Sequence, residues 1–336
     1  MRRTLTSLLL LVLALANASA QHSPYIQAVD EYVPAPGQFV NELPEATADD
    51  TPATMAQKCT ERLAANAREM VTLGAYGGYI TFHFDHPIAN VTGQRDFAIW
   101  GNAFTNAAEP AIVMVAADTN GNGLPDDTWY ELRGSEYDNP LTIHNYELTY
   151  TYNAMQSVEW TDNQGQTGTV PRNGFHKQEY FPLWLAEQGT LTISGARLPN
   201  NAVWTGTQFN LPAYDYGYAD NQPNSNADGC SMDIGWAVDG EGRAVELAHI
   251  DFVRCYNAMN QVCGSIGETS TEIVGAEDLH LEASLEWAEG IRELDNSTLS
   301  HFDNCFDLQG RQRSTFHARR STSPGLYIVN GKKRIY

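Results

Sequence analysis

The chain has 336 residues, with 41 Asp or Glu against 20 Lys or Arg and a formal net charge of −21. Two basic residues lie before residue 21 and seven after Asn304, so residues 21–304 carry 11 basic side chains against 40 acidic. Such a field repels nucleic acid and anionic lipid and so argues against both as partners; it suits cation binding or plain solubility.

Residues 1–20 read as a secretory signal, with Arg2 and Arg3 as the basic start, Leu8 to Leu15 as the apolar run and Ala18-Ser19-Ala20 as the cleavage site. The run falls short of the ~20 apolar residues that a membrane span needs, and no later stretch reaches that length. Gln21 rather than Cys follows the expected cut, which leaves out a lipid-anchored cysteine. The mature chain is therefore expected to be secreted or held at the cell surface, without a membrane-spanning segment. Export permits disulfides among Cys59, Cys230, Cys255, Cys263 and Cys305, and the spacing of Cys255 and Cys263 suits a short hairpin. The odd count leaves at least one thiol unpaired.

Residues 21–50 are acidic, rich in Pro and Ala and without periodicity, as in an extended N-terminal arm. A helix follows, capped by Thr51 with Pro52 in its first turn, and its apolar stripe runs through Met55, Cys59, Leu63, Ala67 and Met70. From there the pattern is that of strands. Ile80, Phe82 and Phe84 alternate with Thr81 and His83, and Phe97 and Ile99 with Ala98 and Trp100. Ile112–Ala117, Tyr146–Tyr152, Leu191–Ile193 and Ile250–Tyr256 continue the series, separated by Gly, Asn and Asp clusters. Gly74, Gly77 and Gly78 sit beside the first strand and mark a bulge or close sheet packing. No strand–helix–strand rhythm occurs, so the expected fold is all-β and mainly antiparallel: a jelly-roll-like β-sandwich over 51–285, with one flanking helix and long loops. Residues 286–304 read as a linker, and Leu279–Leu294 as a short helix or part of that linker.

Residues 305–336 form a distinct basic tail that contains Asp307-Leu308-Gln309-Gly310-Arg311 and Gly325-Leu326-Tyr327-Ile328-Val329-Asn330-Gly331-Lys332-Lys333. It resembles the closing part of the C-terminal sorting tails of exported Bacteroidetes proteins, in which a Gly-Leu-Tyr strand turns at Asn-Gly into a basic end. The full sorting domain of those proteins is longer.

The sharpest chemical signal is Asp118-Thr119-Asn120-Gly121-Asn122-Gly123-Leu124-Pro125-Asp126-Asp127. Oxygen-bearing side chains at 118, 120 and 122, the Leu124 carbonyl and Asp126 or Asp127 can wrap one hard cation, which is the logic of a calcium loop. Trp129 stands where an EF-hand has its closing Glu, and Glu131, two residues on, is the nearest substitute. A polar turn without an ion is the bland alternative.

A second cluster places Tyr214, Tyr216 and Tyr218 in alternation, followed by Asp220 and Asn221, with Trp204 before it and Trp236 after it. Aromatic faces beside amides and carboxylates suit a sugar or a large planar ligand, although tyrosines at period two also suit a sheet face. No catalytic constellation stands out: no carboxylate pair is fixed, and Ser194-Gly195 lacks the nucleophile elbow. His83 and His86 flank Asp85, but they read as solvated or hydrogen-bonded surface residues more readily than as metal ligands.

Several segments together resemble a family of Bacteroidetes cell-surface proteins of the jelly-roll type. They are Gly77-Gly78-Tyr79-Ile80, Phe84-Asp85-His86-Pro87-Ile88, Arg95-Asp96-Phe97, Gly101-Asn102-Ala103-Phe104, Trp129-Tyr130-Glu131, Gly134-Ser135-Glu136-Tyr137 and Trp160-Thr161-Asp162-Asn163. The likeness continues through Asp215-Tyr216-Gly217-Tyr218-Ala219-Asp220-Asn221, Asp233-Ile234-Gly235-Trp236-Ala237-Val238-Asp239 and Gly267-Glu268-Thr269-Ser270-Thr271-Glu272, so that it spans residues 25–285. Ser265-Ile266 departs from it, where relatives tend to carry an aromatic residue.

Members of that family often accompany outer-membrane uptake systems, including those for vitamin B12. The resemblance thus implies a surface protein that captures a corrinoid or a glycan beside an outer-membrane transporter. A surface adhesion or matrix protein is the alternative, and a glycan-active hydrolase a more distant one.

Overall fold

The computed structural model describes residues 22–288 and the backbone of two strands in the tail. The expected signal over 1–20, most of the linker and the rest of the tail lie outside the described residues. Helix α1, Pro52–Leu63, begins as its sequence dictates. Thr51 is extended and its hydroxyl accepts from the Thr54 N–H, while the Thr54 hydroxyl accepts from the Thr51 N–H. The two side chains close a capping box that satisfies otherwise orphaned donors. Thr51→Ala should cost about 1 kcal/mol, read as a lowered urea midpoint with an unchanged m value.

The helix stops at Leu63, short of the expected stripe through Ala67 and Met70. Ala65, Asn66 and Arg68 all take positive φ, and the Arg62 guanidinium donates to the Met70 carbonyl, turning the chain back on itself. Met55, Cys59 and Leu63 face the core.

The main sheet contains β1 (Ala28–Val33), β3 (Tyr79–Ala89), β16 (His249–Asn257), β5 (Ala111–Ala116), β6 (Tyr130–Leu132) and β15 (Ala237–Val238), in that spatial order. β13 (Tyr218–Ala219) pairs with β5 beside β6. Every strand pairing is antiparallel. Part of the expected N-terminal arm is thus an edge strand, held because Ile26, Val29 and Tyr32 are buried in the core.

Registration sorts the two faces. Val29, Phe82, Val253 and Val115 lie opposite one another across β1, β3, β16 and β5 on the inner face. The adjacent row, Glu31, Thr81, Arg254, Met114 and Glu131, lies on the outer face. Period-two alternation makes this separation unavoidable once the register is set.

A second layer, β14 (Ser231–Met232), β4 (Phe97–Trp100) and β18 (Gly275–Asp278), packs Met232, Phe97, Ile99 and Ala276 against the inner face. The pair β2 (Val71–Thr72) and β17 (Glu272–Ile273) adds Val71 and Ile273 to the same core. The chain is therefore an all-β, mainly antiparallel sandwich.

A further four-stranded sheet, β10 (Thr190–Arg197), β7 (Ile143–Thr151), β8 (Val158–Asp162) and β9 (Thr167–Val170), encloses its own core of Tyr146, Leu148, Tyr150, Val158, Val170 and Ile193 with Tyr76 and Phe181. It joins the main sheet closely: a Cβ on Gly77 would lie 2.2 Å from Ile193, and Gly77 takes φ 82°, so only glycine fits. A Cβ on Gly195 would lie 2.9 Å from the Tyr256 ring, whose hydroxyl accepts from the Ala196 N–H.

Residues 281–288 are helical and pack back onto the sandwich. The Ser284 hydroxyl accepts from the Ala89 N–H, and Trp287 stacks on His249 at 3.9 Å. In the tail, β19 (Leu326–Val329) pairs with β20 (Lys332–Ile335) antiparallel.

Cys59, Cys230, Cys255 and Cys263 are free, buried thiols, so the bridge that the spacing of Cys255 and Cys263 would permit is not formed; Cys305 lies outside the described residues. Alternation along β16 turns Cys255 into the inner core, and burial pushes the Cys255 thiol up and that of Cys230 to about 11. Buried thiols of this kind are unreactive.

Candidate functional site

The connection from β5 to β6 carries the Asp/Asn/Gly loop. Its root is tied to β16, where the Asp251 carboxylate accepts from the Asp118 N–H at 2.7 Å. Asp118 in turn accepts from the N–H groups of Gly121, Asn122 and Gly123. Gly121 and Gly123 both take φ near +70°, which lets the backbone fold round one side chain. The Asn120 and Asn122 side chains both reach Asp126, at 3.0 Å and 3.0–3.2 Å.

Asp118, Asn120, Asn122 and Asp126 thus gather within one loop. The Thr119 hydroxyl donates to Asp127 Oδ1, while Asp127 Oδ2 is buried without a partner. No Lys, Arg or His among the described residues forms an ion pair with Asp118, Asp126 or Asp127. The three carboxylates face no protein cation, but they do not bring one oxygen each within 4.8 Å of one another. The Asn120 and Asn122 side-chain oxygens accept from the Asn122 and Leu124 N–H groups. Holding a hard divalent ion would require the loop to turn these oxygens inward. Leu124 is exposed beside them.

Glu131 sits elsewhere. On β6 it lies opposite Met114 and Val238, on the outer face of the sheet. Its charge bears on the phenols of Tyr137, Tyr218 and Tyr256. Its carboxylate makes no hydrogen bond or ion pair among the described residues, and burial pushes it up to about 7.

Two positions along, Arg254 lies between aromatic rings, 4.2 Å from Trp129 and 4.8 Å from Tyr79, and donates to Thr81 and Glu31. The Trp129 indole donates to the Pro125 carbonyl at 3.3 Å. The loop that gathers the carboxylates therefore also holds the ring that caps Arg254.

The aromatic cluster divides. Tyr218 is buried and its hydroxyl accepts from the Glu136 N–H. Asn221 is buried and clasps the Tyr214 backbone from both sides, while the Tyr214 hydroxyl donates to the Pro199 carbonyl. Tyr216 is 42 % exposed and lies 5.0 Å from Trp236, over which Arg95 sits at 4.2 Å. Trp204, 57 % exposed, stands apart on the hairpin of β11 (Val203–Trp204) and β12 (Phe209–Asn210), against Phe209.

Gly217 explains how Tyr216 is presented. It takes φ 88°, and a Cβ there would lie 2.5 Å from Gly134 Cα, so the loops after β6 and before β13 touch backbone to backbone. The Ser135 N–H donates to the Tyr216 carbonyl at 3.0 Å.

Asp220 leaves the aromatic group altogether and joins Glu109 and Glu272, whose carboxylate oxygens lie within 4.8 Å of one another. Asp220 accepts from the N–H groups of Asn102, Ala103 and Glu272, yet burial still pushes it up to about 7. Glu109 and Glu272 are raised by burial and by the charges beside them. Such a trio holds protons or a cation at neutral pH, because three buried charges at that spacing repel. The sequence offers no hint of it beyond three acids far apart along the chain. No protein-family model matches this chain, and no curated protein matches it.

Proposed function

We propose that the chain is an exported cell-surface ligand-binding protein of the Bacteroidetes type, whose loop 118–127 binds Ca2+ as a structural brace. The carrying observation is the gathering of Asp118, Asn120, Asn122 and Asp126 in a loop whose Pro125 carbonyl also fixes Trp129. The ligand class is a corrinoid or a glycan passed to an outer-membrane transporter. Two surfaces support that class: the Trp129–Arg254–Tyr79 stack on the outer face, and the Tyr216–Trp236 pair beneath Arg95. Stacked rings with adjacent cations and carboxylates combine apolar area with directed polar contacts.

Titration of the full chain with cyanocobalamin and with a panel of oligosaccharides, in Ca2+ and in chelator, tests the reading. Saturable binding is expected, weaker by at least about tenfold when Trp129 or Tyr216 becomes Ala, as for loss of ~1.4 kcal/mol. An absence of saturable binding by every probe would overturn it. The exposed Val203 and Trp204 hairpin favours the adhesin as the second reading; that protein would bind cells or matrix without competition from the small probes.

A further inference from the structure

We propose that His22, Asp85 and His86 form a second cation site, selective for a Zn2+-class metal, that fastens the N-terminal segment to β3. This goes beyond the calcium reading and does not depend on it. Consecutive residues of a strand normally face opposite ways, but four residues of β3, Phe84 to Pro87, lie opposite a single residue of β16, Asp251. The bulge re-aims the chain so that Asp85 and His86 meet, with His86 Nδ1 2.6 Å from Asp85 Oδ1. A sequence-based expectation of a surface histidine fails here for that reason: the His86 side chain is 1 % exposed.

The other His86 nitrogen is fixed. Its Nε2–H donates at 2.9 Å to Asp278 Oδ2, a carboxylate whose side chain is fully buried. The second Asp278 oxygen accepts from the His280 N–H. A buried carboxylate on Nε2 favours the tautomer that leaves the Nδ1 lone pair toward Asp85, the support that metal-binding histidines use. The third donor arrives from the N-terminal segment: His22 Nδ1 lies 3.2 Å from the same Asp85 oxygen. That segment is tied down locally, since the Ser23 N–H donates to Asp85 Oδ2 and the Pro24 carbonyl accepts from the Asp278 N–H.

The three donor atoms lie within 4.8 Å of one another. Around a tetrahedral Zn2+ with bonds of about 2.0–2.1 Å, ligand atoms stand about 3.3 Å apart, so the cluster needs only a small opening to admit the ion. Two imidazole nitrogens and one carboxylate favour Zn2+ over Ca2+, which takes oxygen ligands. His22 and Asp85 are about a third and a quarter exposed, which leaves the fourth position to water. The competing occupant is a proton: with both ring nitrogens facing carboxylates, a charged His86 would also satisfy the geometry.

The test uses the full chain without a histidine tag, followed by thermal unfolding in Zn2+, Ca2+ and chelator and by Co2+ absorption spectroscopy. Zn2+ at micromolar concentration is expected to raise Tm, and Co2+ to give the intense visible bands of a tetrahedral N/O site. His22→Gln should abolish both signals with its circular dichroism unchanged. Asp278→Asn should weaken Zn2+ affinity about 10–100-fold while retaining the bands. A Zn2+ response that survives in His22→Gln, or a chain whose Tm follows pH but ignores Zn2+, overturns the site in favour of another locus or of a protonated His86.

Discussion

Chelation of Ca2+ should lower the melting temperature of the chain by roughly 5–10 °C, and Asp118→Ala should remove that dependence. An ion at a hundred times its dissociation constant stabilises the folded state by about 2.7 kcal/mol. In a domain of this size each kcal/mol shifts Tm by about 2–4 °C. Asp118 is the informative position because it accepts three backbone N–H groups and its own N–H is held by Asp251. The alanine variant should therefore melt like the chelated parent, and added Ca2+ should leave it unmoved. A parent whose Tm is the same in Ca2+ and in chelator would reduce the loop to an ordinary polar turn. Asn122→Ala, which leaves the Asp118 contacts in place, should give an intermediate shift and guards against simple misfolding of the first variant.

Glu131→Gln should stabilise the protein at pH 8 and leave it nearly unchanged at pH 4. Burial raises this carboxyl from its usual value near 4.5 to about 7, and no partner offsets the cost. A folded-state value above the unfolded one means that the native chain holds a proton that the unfolded chain has lost. Stability from this group is therefore full below about pH 4.5, declines as pH rises, and is gone above about 7. At 1.36 kcal/mol per unit the difference is at most about 3–4 kcal/mol. Urea denaturation at intervals from pH 4 to 8 reads it directly: the variant should show a shallower decline over that window. Equal slopes for parent and variant would mean that Glu131 is solvated or finds a partner. Asp220, pushed to about 7 as well, contributes a decline of the same sign in both proteins.

Much of the architecture is legible in the sequence because inner-face positions repeat every second residue. Ile80, Phe82 and Phe84 do face the core, as do Phe97 and Ile99. The start of α1 is equally legible, since Thr51 and Pro52 act through local geometry. Its end is not, because the Met70 carbonyl that captures Arg62 lies outside the helix.

The site divides along the same line. Loop 118–127 gathers its side chains through contacts no more than eight residues apart, so spacing alone reveals it. Glu131 is close in sequence but follows the register of β6 to the outer face. Asp220, placed among tyrosines by spacing, turns instead toward Glu109 and Glu272, and His86 is buried by a bulge that needs β16 to define it. Arg254 and Trp129 meet only because β16 lies beside β5.

That placement of β16 governs assembly as well. The strand fills the gap between β3 and β5, yet it is made some 130 residues after β5 ends. Until residue 257 is available, β3 and β5 each present an unsatisfied backbone edge, and the inner residues of both are uncovered. Closing so long a loop is slow, and open edges recruit other chains. Fragments ending before His249 should accumulate as aggregates rather than as a smaller domain. The complete polypeptide, by contrast, folds only when its two distant halves find each other.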